Sequence, residues 1–385
     1  MYNLNLELYY FGLRLESWSW LIIMMLLLIG LSTNRKINHS IKLIKNTSFK
    51  FYFLYVLLLL IGLLRTDYFS EGVGLTLTMF FSLLAVCHFY SNNYEYSEFE
   101  NLIYFSIVVN LVTLMIFVII GSPLIQYDYT GTPRLTGSMG WASLAYFLMV
   151  PFNLILVKCI EKPKKHYIFI LVILSLLIIG TISRIGLLML ALVILSVFTV
   201  LNRGKTTIIL LLSIVLIFTI PIFYELFYTR LFYSSSSVIA TSGRLTAILF
   251  LFDAYITDVM TFFIGQGTGV ARVSIENLSN LGISRIHSAL GEAFFDIGIF
   301  GALFLFIFVF KSFINSWLYL KKLKITINYN NRYDKYHIRY LLLGMLGSVT
   351  LFPLIFFENM YNLYLTSVLF IFVLFGELQA NRFKK

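Results

Sequence analysis

The sequence predicts an all-α fold: a polytopic integral membrane protein of about 11 transmembrane helices with one large extracytoplasmic loop. Three observations carry this. Of 385 residues, 59% are hydrophobic and only 12% are charged, where soluble chains carry about 25% charge. Apolar runs repeatedly approach the roughly 20 residues that a helix needs to cross a bilayer. Basic residues gather in alternate connections, as cytoplasmic loops require. A transmembrane barrel would show short alternating strands instead. No cleavable signal peptide is expected, because the first apolar run lacks a basic leader and a small-residue cleavage site.

In chain order the expected spans lie near 17–32, 49–64, 72–90, 102–121, 138–157, 167–182, 185–201, 206–223, 293–310, 340–357 and 361–378. Arg14 and Glu16 shorten the first, and residues 1–16, with Tyr2, Tyr9 and Tyr10, suit an interfacial helix. No repeat, low-complexity tract or soluble domain interrupts the series, so 1–385 read as a single membrane domain. The long stretch that is not lipid-like is the loop 224–292, expected to carry the active site. Cys87 falls mid-span and Cys159 at a lysine-rich end, which suggests neither a disulfide nor a metal site.

A net charge of +11 raises nucleic acid as a partner, but basic cytoplasmic loops explain it, and no nucleic acid is expected. The connections 33–50, 158–166, 202–205 and 311–339 and the tail hold 21 of the 29 basic residues, including every lysine. These segments are expected inside, with the amino terminus outside. The remaining basic residues are Arg14, Arg65, Arg134, Arg184, Arg230, Arg244, Arg272 and Arg285. Topology explains why basic residues are few outside, but not why they are all arginine. A guanidinium grips phosphate oxygens in a bidentate way, whereas lysine offers a point charge. The plainer alternative is chance, with ordinary ion pairs to Glu225, Asp253, Asp258 and Glu276.

Several short runs bear chemistry. Thr181-Ile182-Ser183-Arg184 is squeezed between two apolar runs with no room for a loop. An arginine at bilayer depth is costly, so Arg184 is expected to face a water-filled cavity. Thr241-Ser242-Gly243-Arg244 opens an amphipathic stretch, Leu245 to Tyr255. There Ser242 can cap a helix and leave N–H groups for an anion. Gly265-Gln266-Gly267-Thr268-Gly269 is not a dinucleotide fingerprint, since no strand precedes it. It reads as a tight turn that lets backbone approach a ligand or a neighbouring helix. Arg285-Ile286-His287-Ser288 precedes Glu292, Asp296, Gly298 and Gly301. His287, Gly291, Phe294 and Gly298 fall on one helical stripe, and the glycines suit close helix packing. His287 is the one histidine on the expected outer side. A lone interfacial histidine is commonly structural, but beside an arginine at a loop exit it can serve as a general base.

These runs carry a family resemblance. His287-Ser288, nine residues, then Gly298-Ile299-Phe300-Gly301 resembles the His, Asn/Ser/Gln, nine-residue, Gly-x-x-Gly motif of the O-antigen ligase and polymerase superfamily. Thr181 to Gly186 resembles its Ser-Arg before a leucine-rich helix. Ser242-Gly243-Arg244 resembles its Ser-Gly-Arg ahead of a glycine-rich segment, here Gly265-Gln266-Gly267. The likeness covers about residues 130–310. It departs at Ile248 to Phe252, where the family often has a tryptophan.

The resemblance implies a Wzy-type polysaccharide polymerase, a glycosyltransferase of the bacterial inner membrane. Such an enzyme joins undecaprenyl-diphosphate-linked repeat units of O-antigen, capsule or exopolysaccharide on the periplasmic face. The related O-antigen ligase passes the glycan to lipid A-core instead. A flippase for the same lipid is the rival of a different class, and would show midplane sites on broken helices with internal repeats. The diphosphate is already a good leaving group, so neither cofactor nor metal is expected. His287 is then expected to activate the acceptor hydroxyl, while Arg184 and Arg244 hold the donor diphosphate. Arg230, Arg272, Arg285 and Glu292 complete substrate binding. Glu292 and Asp296 are read as orienting arginines rather than as catalytic carboxylates. Membrane lipids, a chain-length regulator and a flippase are the further partners implied.

Overall fold

The computed structural model describes residues 47–91, separate helical positions between 100 and 119, 124–127, 133–135, 141–200, 259–271, 288–326, 332–357 and 363–382. The expected spans 17–32 and 206–223 and the segment 1–16 lie outside these residues. So does most of the loop 224–292.

The described chain is predominantly helical. Its helices are α1 (Thr47–Arg65), α2 (Phe69–Ser91), α3 (Trp141–Glu161), α4 (Lys165–Gly180), α5 (Arg184–Val200), α6 (Val259–Ile264), α7 (Ala289–Thr326), α8 (Arg332–Phe357) and α9 (Leu363–Arg382). All except α6 overlap expected spans, α7 and α8 running well past theirs, and 102–121 is helical at the positions described. Among the described residues four segments, Ser48–Arg65, Leu144–Glu161, Ala289–Lys322 and Ile338–Phe356, are long and apolar enough to cross a membrane. Shorter apolar helices cover Gly72–Cys87, Lys165–Gly180, Ile185–Val200 and Val368–Leu378. The exception to helix is a small antiparallel hairpin, β1 (Ile125–Tyr127) with β2 (Pro133–Leu135), in which Gln126 pairs with Arg134.

Polar residues enter these apolar helices by bonding to their own backbone. Thr76, Thr78, Ser82, Ser175, Ser348 and Thr350 each donate a hydroxyl to the carbonyl four residues earlier, at 2.7–2.9 Å. A satisfied hydroxyl costs little in an apolar setting.

The expected span 293–310 is part of a 38-residue helix, α7. Beyond the break at Gly298 its run 299–326 is about 42 Å long at 1.5 Å per residue, still more than the ~30 Å of a hydrocarbon core. The segment 311–339, read from its lysines as a connection, is therefore helical to Thr326 and again from Arg332. The physical reason is the lack of a breaker: no glycine or proline stands between Gly301 and Gly344. Lys321 and Lys322 lie along the helix with their ammonium groups 4.0 Å and 5.6 Å from the ring centres of Trp317 and Tyr319.

Contacts group the chain into two units. In the first are α1, α2, α6, the part of α7 up to Phe308 and the start of α9. Tyr52 is its buried centre. The ring lies 4.9 Å from Phe308 and 5.3 Å from Phe370, and the hydroxyl donates to the Met79 carbonyl at 3.0 Å. A tyrosine this deep needs such a partner.

In the second unit α3, α4, α5 and α8 pack together, and β2 lies against α3 and α4. Pro151 and Pro353 sit inside α3 and α8, where each removes one helix donor. Nearby the Asn153 amide donates to the Thr350 hydroxyl at 3.1 Å, which ties the two helices together. At the lysine-bearing ends Arg339 pairs with Glu161 and Lys158 with Glu100. Lys158 also lies 4.7 Å from the Tyr104 ring centre.

Candidate functional site

The first unit contains a broken helix held by a glycine-rich turn. Gly298 of α7 has φ 75° and ψ −177°, a conformation open essentially to glycine alone. Just before this break the carbonyls of Phe295 and Asp296 accept the N–H groups of Gln266 (2.8 Å) and Gly267 (2.9 Å). The Asp296 carboxylate completes the latch: its two oxygens accept the N–H groups of Gly269 (2.8 Å) and Ala271 (2.9 Å). Asp296, Gly265, Gly267, Gly269 and Ala271 are all buried. An orphaned N–H in such a place would cost about 1–3 kcal/mol.

Local chemistry explains the fit. α6 stops at Gly265, whose φ of 72° suits a helix C-terminus. A β-carbon on Gly265 would overlap the Asp296 backbone, and one on Gly298 would overlap the Phe263 carbonyl. Thr268 donates its hydroxyl to the Leu59 carbonyl at 2.9 Å, beneath Gly62 and Gly72 of α1 and α2. Arg65 donates to the Ile264 carbonyl at 3.3 Å, at the end of α6. The glycine-rich run is thus a tight turn against a neighbouring helix, one of the two uses anticipated for it.

Three readings are corrected. The stripe through His287, Gly291, Phe294 and Gly298 is not one continuous helical face, because Gly298 leaves the helix. Gly301 does not serve a neighbouring helix in the expected way either, since the space beside it is filled by Ile297. Asp296 was read as orienting an arginine. Instead both its oxygens hold backbone of the turn, because Gly269 to Ala271 lie directly under it. Arg65, counted only among the outer arginines, supports the same turn. Its position between Gly62 and Gly72, and opposite no acidic run, gave a weak signal for this.

Ser288 accepts the Gly291 N–H on its hydroxyl at 3.1 Å and the Glu292 N–H on its carbonyl at 2.9 Å, which caps α7. Glu292 is buried in the first turn of α7, one turn before Asp296. Arg272, Arg285 and His287 fall in the segment 272–287, outside the described residues. The residues that flank this segment, Ala271 and Ser288, are both fixed to α7, one through Asp296 and the other as its cap.

In the second unit the junction of α4 and α5 is as tight as expected. Thr181 donates to the Ile178 carbonyl at 2.6 Å, and Ile182 takes a φ of 49°. The Ser183 hydroxyl accepts the Gly186 N–H at 3.2 Å, so Ser183 caps α5. Arg184 is the first residue of α5; its side chain, and all of Arg230 and Arg244, lie outside the described residues. Gly186 packs against Ala145 of α3.

Two serines next to candidate residues, Ser183 before Arg184 and Ser288 after His287, therefore cap helices. A capped helix N-terminus keeps unpaired N–H groups and a positive dipole end, which suit an anion. Among the described residues no group of three or more His, Cys, Asp or Glu is placed to hold a metal ion. Comparison of the chain with protein-family models, with curated proteins and with solved structures gives no match.

Proposed function

We propose that the protein is a lipid-linked glycan polymerase of the Wzy type in the bacterial inner membrane. It joins undecaprenyl-diphosphate-linked repeat units on the periplasmic face. The supporting observation is that the two residues flanking 272–287, the segment of Arg272, Arg285 and His287, are both held by one broken apolar helix, Ala271 through Asp296 and Ser288 as its cap. In the proposed reaction His287 takes the proton of an acceptor sugar hydroxyl. The oxygen attacks the anomeric carbon of the donor, and the bond to the diphosphate breaks. Arg184 and Arg244, with Arg230, Arg272 and Arg285, stabilise the departing undecaprenyl diphosphate. Glu292 supports substrate binding.

The test is to supply the reconstituted protein with a lipid-linked repeat unit. Ladders formed without lipid A-core support a polymerase. A single transfer that requires lipid A-core makes it a ligase, and translocation without transfer makes it a flippase. Under the same conditions Arg184→Lys and Arg244→Lys should express normally and lose about 10- to 100-fold in rate, the worth of one or two charge-assisted hydrogen bonds. Normal polymerisation by both lysine variants removes the diphosphate clamp.

A further inference from the structure

Within the second unit one face of α7 changes from apolar to basic in a single turn. Phe310, Ile314 and Leu318 follow at four-residue intervals, so they lie along one side of the helix. Phe310 and Leu318 are exposed, and Ile314 is half-buried. The next positions on that side are Lys321 and Lys322, both exposed. On a membrane helix an exposed apolar stripe meets acyl chains, and lysines at its end reach the headgroups.

Two contacts fix the depth of this change. The Trp317 indole N–H donates to the Thr199 hydroxyl at 3.1 Å, and the apolar run of α5 ends at the next residue, Val200. The hydroxyl oxygen of Ser316 lies 3.2 Å from where a β-carbon would stand on Gly376 of α9, and the apolar run of α9 ends at Leu378. Both neighbours therefore leave the apolar zone near the level of Trp317. Tryptophan and tyrosine favour that boundary, and Trp317 and Tyr319 occupy it. Lys321 stands one turn further along α7, about 6 Å on, at headgroup depth.

The lysine is also held in place. Its ammonium lies 4.0 Å from the ring centre of Trp317, and Trp317 is itself tied to α5. A ring on one side of an ammonium leaves its remaining hydrogens for an anion on the other. Lys322 adds a second charge, 5.6 Å from the ring centre of Tyr319. The segment 311–339 carries seven basic residues and one acidic residue, Asp334, so the field at this end of α7 favours a negative partner.

We propose that this lysine-bearing end of α7 binds an anionic phospholipid of the adjoining leaflet. An acyl chain lies along Phe310, Ile314 and Leu318, and the phosphate rests on Lys321 with Lys322 beside it. The site is separate from the glycan chemistry and does not depend on it.

The experiment uses Trp317 as the reporter, in full-length protein whose other tryptophans, Trp18, Trp20 and Trp141, are replaced by phenylalanine. The protein is placed in phosphatidylcholine nanodiscs containing either phosphatidylglycerol or phosphatidylcholine with brominated acyl chains, which quench a nearby indole. Brominated phosphatidylglycerol should quench Trp317 at a clearly lower mole fraction than brominated phosphatidylcholine. Lys321→Gln should reduce that preference about fivefold, the worth of one lysine at an anionic surface, and adding Lys322→Gln should remove it. Lys165→Gln, at an exposed lysine that starts α4, should leave it unchanged. If the tryptophan replacements prevent folding, native mass spectrometry of the protein with its own tryptophans reads the same lysine variants by the phosphatidylglycerol retained. Equal action of the two lipids on the parent overturns the proposal and leaves the face to another occupant, such as an acidic protein segment. A preference that survives the double lysine variant overturns it too. So does an equal loss in Lys165→Gln, which would mean general attraction to the basic side and no site at α7.

Discussion

Gly298→Ala should sharply lower the yield of folded protein and its Tm in detergent. The residue occupies a backbone region that costs other residues about 1–3 kcal/mol. Its new methyl group would also overlap the Phe263 carbonyl and the Ile264 nitrogen. Relieving that overlap means moving α6 off α7, at about 1–3 kcal/mol for an overpacked site. Against a total stability of about 5–15 kcal/mol, the two effects together are severe. Gly180→Ala is the control, because a β-carbon there would meet nothing within 4 Å. Comparable losses in the two variants would show that the break at Gly298 is not what matters.

His287→Gln should leave donor binding intact and cut glycan transfer by about 10²–10⁴-fold, the usual worth of a general base. His287 comes directly before Ser288 in the sequence, and Ser288 caps α7. Glutamine can keep a structural hydrogen bond but cannot take up a proton at neutral pH. Binding of the lipid-linked donor and single-turnover transfer should be measured separately. Near-normal transfer in His287→Gln leaves the side chain an orienting role only, and His287→Ala would then show the larger loss.

Much of the helical architecture was legible in the apolar runs, because burial of a helix in lipid or in its neighbours demands the same composition along its whole length. The overrun of α7 was not. Lysines at 311, 321, 322 and 324 look like a loop, yet their long stems can lie along a helix while the ammonium groups reach polar surroundings. The glycine-rich turn was recognisable from Gly265, Gly267 and Gly269 alone. Its partner was not, because nothing local to Asp296 connects it to an N–H 25 or 27 residues earlier. The same adjacency bias made Asp296 look like a companion for arginine. Ser183 and Ser288 stood out as parts of chemical motifs, and in the structure each caps a helix. The arginines themselves were visible only as a one-sided bias in residue type, which says what they could bind but not where they meet.

The latch on α7 also has a thermodynamic character of its own. Three of its four hydrogen bonds join buried residues, so a bond that opens there finds no water to replace it. Opening one alone strands a donor and an acceptor, while opening all of them together lets the turn leave as a piece. Such an arrangement disfavours partial states: the turn is seated or released, with little population between. Ala271 and Ser288 consequently act as fixed posts, and thermal fraying at either does not grade smoothly into loss of the turn.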